Sequence, residues 1–557
     1  MKTSTTTLYI IIIFFLSPFL ASIISSQNTT CNNTPYPSFC KSTLPSDYLS
    51  IHEQTLFFLQ QSLSITKTIL QLISSYLNQS TIPNSTLLVL QDCLNLAELN
   101  TDLLSTVIET ISNSSDSNIN IFSNQVYDLQ TLLSAVITNH QTCLDGFHDV
   151  NPYPRIRTTL SNPLSDGVKL YSTSLALFTH GWVSNDVISS SIEKTITMNN
   201  RKLLQTSVDN VIVTQKVVVN PDGSGDFVTI NDAVDAAPNT TGSNNGYHVI
   251  YVVAGIYNEY VSIAKNKENL MIIGDGIDRT VITGDRSVVD GWTTFQSATF
   301  AVIGKGFVAV NMSFRNTAGP NKHQAVAVRN GADMSVFYNC SFEGYQDTLY
   351  AHSLRQFYKN CNIYGTVDFI FGNAAAVFQN CNMYPRLPMQ NQFNAITAQG
   401  RTDPNQNTGF SIWNCYIVAA SELGGANSNY NDIKTYLGRP WKEYSRTIYM
   451  QCFIDGLVDP KGWIEWLGDF ALSTLYYGEF GNWGEGSSTS NRVTWEGYHL
   501  IDGKDADEFT VYKFIHCLIR YEDIVTGWNL TSFIFNRNKL SDKILYKREQ
   551  LKYLRRL

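Results

Sequence analysis

The chain has 557 residues, of which 43% are apolar and 15% are charged, and this composition predicts a globular protein of about two or three domains. The formal net charge of −8 argues against nucleic acid as a partner, because nucleic-acid-binding domains are usually basic. The ten cysteines include no CxxC pair, so zinc-site spacing is absent and we expect neither a metal nor a cofactor.

Residues 1–26 read as a secretory signal peptide. Met1 and Lys2 precede an apolar run over 8–19, and small residues follow around 21–26. The run is short for a membrane span, and no later stretch reaches about 18 unbroken apolar residues. We therefore expect a secreted protein that has no membrane anchor once the signal is removed. Its N-glycosylation sequons are compatible with that route, and they begin at Asn28, Asn32, Asn78, Asn84, Asn113, Asn239, Asn311, Asn339 and Asn529.

Residues 27–200 have the spacing of apolar residues that is typical of helices. In LLVLQDCLNLAELNTDLLSTVIETI (87–111) and VYDLQTLLSAVITNHQTCLDGF (126–147), apolar residues recur every three or four positions, and a further helix is expected around 161–178. This spacing predicts amphipathic helices that pack as an all-α domain of the four-helix-bundle type.

Four cysteines lie in this helical part. Cys31 and Cys40 could close a short N-terminal hairpin, and Cys93 with Cys143 could join two helices.

A polar segment over 201–214 separates the helical part from the rest of the chain. It begins with Arg201, Lys202, Leu203 and Leu204. A dibasic pair between a region of helical pattern and a region of β-branched runs predicts a linker that a protease cleaves.

Residues 215–514 contain short β-branched runs and a recurring phrase. Asn-Cys occurs at 339–340, 360–361, 380–381 and 414–415, and Gln-Cys at 451–452. A period of about 20 residues that tolerates insertions indicates a solenoid, and the absence of helical spacing favours a right-handed parallel β-helix. Stacked coils would also suit a disulfide, for which Cys361–Cys381 is preferred although Cys340–Cys361 fits equally well.

Two aspartates occupy equivalent places in successive repeats. Asp347 and Asp368 each follow the cysteine of their repeat by seven residues. Stacked coils would place their backbones about 4.7–4.9 Å apart. Two carboxylates so close cannot both ionise freely, so we expect one raised pKa and one low pKa, which would provide an acid and a nucleophile.

Five sequence blocks around these aspartates are similar to the plant-type pectin methylesterases. They are QAVAV (324–328), GYQDTLY (344–350), VDFIFG (367–372), ITAQGRTDPNQNTG (396–409) and LGRPW (437–441). The front half, with its four cysteines, resembles the pectin methylesterase inhibitor domain that precedes many of these enzymes. RKLL at 201–204 is similar to the basic processing motif between the two halves.

The resemblance implies a carboxylic ester hydrolase that uses an aspartyl acyl-enzyme. Asp368 would be the nucleophile, held ionised by a bidentate bond from Arg439. Asp347 would protonate the departing methanol and then activate water. Gln346 and Gln324 would donate N–H groups to the oxyanion.

The resemblance also implies a surface that binds the sugar chain. Its members would be Trp441, Phe371, Tyr350, Trp463 and Thr294. We expect methyl-esterified homogalacturonan in the cell wall as the substrate, a subtilisin-like protease acting at the linker, and inhibitor proteins as further partners. The helical domain is expected to be autoinhibitory.

Two other readings of the sequence remain open. Two carboxylates on a β-helix also suit a pectin glycosidase or lyase, although a glutamine pair beside them favours acyl chemistry. A non-catalytic inhibitor or wall-binding protein is the other alternative, in which 27–150 would be the active part. Residues 515–557 form an atypical basic tail without the repeat phrase, which we interpret as a replaced C-terminus.

Overall fold

The computed structural model describes residues 30–45, 50–79, 82–115, 123–150, 154–183, 212–239, 246–424 and 433–516. The predicted signal peptide, the motif at 201–204 and residues 517–557 of the tail lie outside these ranges, so those predictions stay predictions.

The first part of the described chain is a bundle of helices. Its elements are α1 (Pro37–Thr43), α2 (Ile51–Leu77), α3 (Asn84–Ser115), α4 (Ser123–Val150) and α5 (Pro154–Phe178), which continues into a π-helical turn at Thr179–Val183. Helix α2 begins with a capping box, in which Ser50 and Glu53 satisfy each other's backbone N–H groups. Buried residues on α3 recur at three- and four-residue spacing, as at Leu104, Val107 and Ile111, which explains why the helices pack along apolar stripes.

Two disulfides stabilise this helical domain, and both were expected from the sequence. Cys31 is bonded to Cys40 across the N-terminal turn. Cys93 is bonded to Cys143, which joins α3 to α4. Within the described ranges, no helix is both long and apolar enough to span a membrane.

The second part of the described chain is built mainly from short strands. They are β1 (Val213–Val219), β2 (Tyr247–Val252), β3 (Gly255–Asn258), β4 (Val261–Ile263), β5 (Leu270–Gly274), β6 (Thr280–Gly284), β7 (Phe300–Val302), β8 (Val308–Val310), β9 (Ser313–Asn316), β10 (Val328–Asn330), β11 (Ser335–Tyr338), β12 (Ser341–Glu343), β13 (Leu349–Ala351), β14 (Arg355–Lys359), β15 (Asn362–Gly365), β16 (Ile370–Gly372), β17 (Ala375–Gln379), β18 (Asn382–Pro385), β19 (Asn394–Gln399), β20 (Gly409–Trp413), β21 (Tyr416–Ile417), β22 (Thr435–Gly438), β23 (Arg446–Met450), β24 (Phe453–Ile454), β25 (Tyr476–Phe480) and β26 (Tyr498–Leu500).

Short helices accompany the strands. They are α6 (Ile230–Ala236), α7 (Ser421–Gly424), α8 (Gly503–Asp507) and α9 (Val511–Phe514), together with 3₁₀ turns at Pro320–Lys322 and Glu485–Ser487.

Among the described residues, the strands form three parallel sheets, which makes this domain a parallel β-helix. The spatial orders are β1-β2-β5-β8-β11-β14-β17-β20-β23-β25-β26, then β22-β19-β16-β13-β10-β7-β4, then β24-β21-β18-β15-β12-β9-β6-β3. In the central coils the chain visits each sheet once per turn. Residues at equivalent positions in successive repeats are therefore stacked, as the repeat phrase predicted.

The asparagine of the repeat phrase forms a corner of the coil. Asn311, Asn339, Asn380 and Asn414 have φ between 51° and 57°, a left-handed conformation that asparagine tolerates better than most residues. The Asn339 amide donates to Asn311 Oδ1 at 2.6 Å, and the Asn414 amide donates to Asn380 Oδ1 at 2.9 Å. Asparagine side chains of neighbouring coils therefore bond to each other at these corners.

The cysteine that follows each corner points into the β-helix. Cys340, Cys361 and Cys381 are fully buried free thiols, so the predicted disulfide Cys361–Cys381 is wrong, as is its alternative Cys340–Cys361. The Cys361 thiol donates to the carbonyl oxygen of Phe337 at 3.3 Å, and the Cys381 thiol donates to that of Tyr358 at 3.5 Å. In-register stacking directs the neighbouring sulfurs the same way, each toward a backbone carbonyl rather than toward the other sulfur.

Candidate active site

Asp347 and Asp368 lie one above the other on the outer surface of the β-helix. Asp347 lies between β12 and β13, and Asp368 lies between β15 and β16. Both adopt positive φ, 63° and 51°, and the Asp347 N–H donates to the carbonyl oxygen of Val367 at 3.1 Å. The equal spacing in the two repeats therefore brings the two carboxylates together, as expected.

Arg439 holds Asp368 through two hydrogen bonds. Its Nε donates to Oδ1 at 2.8 Å and its Nη2 donates to Oδ2 at 2.7 Å. Arg439 follows β22, whose last residue is Gly438, and a Cβ at Gly438 would lie 2.1 Å from the Thr397 hydroxyl oxygen. The glycine of the LGRPW block therefore lets this strand approach its neighbour closely enough to place Arg439.

The two aspartates differ in how strongly their pKa values are displaced. Burial raises the pKa of Asp347 well above its ordinary value, and the negative charge of Asp368 raises it further. Burial also raises the pKa of Asp368, while the hydrogen bonds and positive charge of Arg439 oppose that rise. As expected, the pKa of Asp347 is raised more than that of Asp368. The pKa of Asp368 is not low, however, because both side chains are covered.

Gln324 and Gln346 lie in adjacent coils beside this pair. The Ala325 N–H donates to the carbonyl oxygen of Gln346 at 3.2 Å, which sets the register of the two coils. Neither side-chain amide has a hydrogen-bond partner within the described part of the chain. Their N–H groups are thus available to a ligand.

Aromatic side chains form a wall next to the carboxylates. Tyr350 and Phe371 stack at 4.1 Å between ring centroids, and Trp441 lies edge-on to Phe371 at 5.9 Å. All three were predicted. Phe295, whose ring is 6.4 Å from that of Tyr350, was not predicted, although it is next to Thr294 in the sequence. We call Phe295, Tyr350, Phe371 and Trp441 the aromatic wall.

The prediction that Trp463 contacts the sugar chain is wrong. Trp463 is fully buried inside the β-helix, where it stacks on Tyr477 at 4.1 Å. Trp463 forms a single parallel β-bridge with Gly438 of the neighbouring coil, and this pairing directs its ring inward. Trp466, three residues further on, is 36% exposed and lies under the Arg439 guanidinium at 4.1 Å.

Thr294 lies in the loop that carries Phe295. Its carbonyl oxygen accepts from the Ser297 hydroxyl at 2.8 Å. The neighbouring hydroxyl of Thr293 makes the contact with the helical domain instead, at 2.7 Å from Asp92.

The helical domain covers the aromatic wall. Leu96 of α3 is 1% exposed and packs in one cluster with Phe295, Tyr350 and Phe371. Polar contacts surround this apolar centre, including a 2.9 Å bond between the Thr142 hydroxyl and the His352 ring. The remaining interdomain bonds include Arg355–Asp128, Asn373–Thr138, Ser172–Asp403 and Lys442–Asp145.

An ion-paired carboxylate stacked on a second, more strongly perturbed carboxylate, with free amide donors alongside, defines a hydrolase site on a β-helix. The groove is lined by rings, which suits a sugar polymer. The covering helices make this a two-part protein in which one domain occupies the groove of the other.

Two family models match the chain. The model described as "Pectinesterase" matches residues 216–517, and the model described as "Plant invertase/pectin methylesterase inhibitor" matches residues 25–177. Since the first model covers more than half of the chain, the chain belongs to the pectinesterase family, with an N-terminal inhibitor-like domain.

Named relatives agree with this assignment. "Probable pectinesterase/pectinesterase inhibitor 41" of Arabidopsis thaliana is 54% identical over 530 residues, covering 88% of this chain and 92% of that protein. "Pectinesterase 2" of Citrus sinensis is 46% identical over 491 residues, covering 87% of this chain and 91% of that protein.

A solved structure, "Pectin methylesterase from Carrot", is 50% identical with a TM-score of 0.52. It is matched along 95% of its length by 56% of this chain. At that coverage the solved chain has no room for a second domain of the size of the helical one, so a β-helix of this kind is stable in a chain without it.

Proposed function

We propose that this protein hydrolyses the methyl esters of homogalacturonan, giving pectate and methanol through an aspartyl acyl-enzyme. The observation that carries the proposal is the bidentate Arg439–Asp368 pair stacked directly against Asp347. The names of the relatives support pectin as the substrate class.

Asp368 is the nucleophile. Its ionised oxygen, oriented by Arg439, attacks the ester carbonyl carbon and forms a tetrahedral intermediate. The amide groups of Gln324 and Gln346 donate to the oxyanion, and loss of one such donor typically costs about 2.7–4 kcal/mol of transition-state stabilisation.

Asp347 is the proton donor and acceptor. Besides burial, the negative charge of Asp368 raises the pKa of Asp347 and favours its protonated form, so that it can donate its proton to the departing methoxide oxygen as the carbon–oxygen bond breaks. The resulting carboxylate then removes a proton from water, which attacks the Asp368 acyl anhydride. This step breaks the anhydride into the sugar carboxylic acid and the Asp368 carboxylate, with Asp347 protonated again. The sugar acid then loses its proton to solvent as galacturonate.

The helical domain keeps the full chain inactive. Leu96 packs on the aromatic wall, so the sugar chain and the helices compete for one surface. We propose that the protein is secreted to the cell wall, and that a subtilisin-like protease cleaves at Arg201–Leu204 and releases the β-helix. Free inhibitor proteins of the same fold would bind where the helical domain leaves.

The test is methanol release from methylated pectin by residues 212–557 with and without Asp368→Asn. Asp278→Asn is the matched control, because Asp278 also has positive φ, 62°, on an exposed turn. We expect Asp368→Asn to abolish release and Asp278→Asn to preserve it. New reducing ends or unsaturated sugars from the wild-type domain would instead identify a glycosidase or a lyase, and a folded domain that releases nothing would support a binding protein.

A further inference from the structure

A carboxylate of the helical domain is bound by the loop that carries Phe295. Asp92 of α3 is 6% exposed. It accepts from the Thr293 hydroxyl at 2.7 Å and from the Gln296 amide at 2.7 Å. Gln296 also donates to the carbonyl oxygen of Leu88 at 3.0 Å. Two neutral donors of the β-helix therefore converge on one carboxylate that belongs to the covering domain.

A guanidinium lies beside these donors. Arg329 on β10 stacks on the Phe295 ring at 3.5 Å, and its Nε donates to the carbonyl oxygen of Phe295 at 2.9 Å. Within the described ranges no carboxylate lies within ion-pair distance of Arg329, and its two terminal nitrogens have no hydrogen-bond partner. Arg329 is thus a partly buried cation whose terminal N–H groups are free to bind a ligand.

Arg329 and Asp92 attract each other across the interface. Burial raises the pKa of Asp92 to about 6, while the bonds from Thr293 and Gln296 and the positive charge of Arg329 oppose that rise. Burial lowers the pKa of Arg329 to about 10, with the charge of Asp92 opposing. The three β-helix residues around Asp92 therefore each favour a carboxylate, two by hydrogen bonds and Arg329 by its positive charge.

We propose that Thr293, Gln296 and Arg329 form a subsite for the free carboxylate of an already de-esterified galacturonate unit, and that Asp92 occupies this subsite in the full chain. The inference rests on the proposed pectinesterase function, which it deepens by naming one specificity determinant. A methyl ester offers no charge to Arg329, so the subsite discriminates between the two states of the sugar.

The register places this subsite along the groove from the reacting ester. Arg329 pairs with Tyr350 of the next coil, and Tyr350 is three residues beyond Asp347. Asp347 precedes β13 in the turn at its start, and Arg329 lies within β10 of the neighbouring coil. The subsite is therefore displaced along the groove from the carboxylate pair, and the carboxylate that it recognises in this proposal belongs to a different sugar from the one that reacts.

The experiment uses residues 212–557 and a set of methylated hexagalacturonides, each with one free carboxylate at a different unit, beside the fully methylated hexamer. Methanol release gives kcat and KM, and fragment mass spectrometry locates each new carboxylate. The variants are Arg329→Gln, Arg329→Lys and Thr293→Val. Arg279→Gln, on an exposed turn, is the matched control.

We expect the wild type to remove methyl groups at a fixed offset from the existing carboxylate. Its kcat/KM for the best hexamer should exceed that for the fully methylated one by roughly 10- to 100-fold, mainly through KM. Arg329→Gln should remove both the offset and the preference, Thr293→Val should weaken them, and Arg329→Lys should keep part of them because the charge remains. Arg279→Gln should behave like the wild type.

Wild-type attack that ignores the free carboxylate, or an unchanged offset in folded Arg329→Gln, would overturn the subsite while leaving the esterase intact. Absence of methanol from every hexamer would instead mean that the esterase function itself fails, and the subsite with it.

Discussion

Asp347 and Asp368 share one backbone conformation in adjacent coils, and a single hydrogen bond from the Asp347 N–H to the carbonyl oxygen of Val367 sets their separation. The repeat thus places two aspartates in equivalent positions, while their different surroundings displace their pKa values to different extents. Arg439 bonds to Asp368 alone, so Asp368 is the member of the pair that ionises more readily.

The first prediction concerns the pH profile of the β-helix domain. Asp368 must be ionised and Asp347 protonated, so kcat/KM should rise with pH as Asp368 loses its proton and fall as Asp347 loses its own. Asp347→Asn should lower kcat by about 10²- to 10⁴-fold and should remove the alkaline limb. Methanol release measured across pH would show this. An alkaline limb that persists in Asp347→Asn would assign the proton donor elsewhere.

The second prediction concerns Leu96, which packs on the aromatic wall. Leu96→Asp places a charge against buried rings, and the resulting desolvation cost should open the full-length protein. We expect its methanol release to rise at least about tenfold, an opening free energy of about 1.4 kcal/mol. Asn95→Asp adds the same charge on an exposed neighbouring position of the same helix and should change nothing. Equal rates in both variants would show that α3 does not block the groove.

The third prediction concerns the pH dependence of closure. The pKa of Asp92 rises from an ordinary 3.8 to about 6 in the closed protein, so protonation favours closure. The contribution of Asp92 to closure is fully present below about pH 3.8 and is lost as pH rises through about 6. Over that range the equilibrium constant for closure should fall on the order of 100-fold. The ratio of full-length to β-helix-domain activity at each pH reports closure.

Asp92→Asn isolates that contribution. Burial also raises the pKa of Asp403 at the interface, which acts in the same direction, whereas burial lowers the pKa of His352 to about 3, which opposes it. Only the difference between wild type and Asp92→Asn belongs to Asp92. The variant, neutral at every pH, should stay more closed than the wild type above pH 6. Parallel profiles would show that Asp92 does not titrate on opening.

Features that repeat along the chain could be predicted from the sequence. The asparagine at each corner needs a left-handed backbone, and the cysteine after it must then face the core. This local rule located the coils and the two stacked aspartates. The sequence blocks that resemble known enzymes also predicted Arg439 and the two glutamines as site residues. The two glutamines lie side by side because their coils are stacked in register.

Features that depend on which way a side chain faces required the tertiary structure. Trp463 and Trp466 are three residues apart, yet one fills the core and the other borders the site. Cys361 and Cys381 are adjacent in space, yet their parallel orientation leaves them as thiols. Orientation of this kind is decided by packing against neighbouring coils, which local spacing does not encode.

By itself, the sequence determined a β-helix with a carboxylate pair, preceded by a helical domain. Only the tertiary structure decided that Leu96 and Asp92, some 200 residues before the loop at Thr293, lie in the groove and meet Phe295 and Arg329. The physical reason is that complementarity between two domains is a property of two folded surfaces. Neither surface exists until its own core has packed.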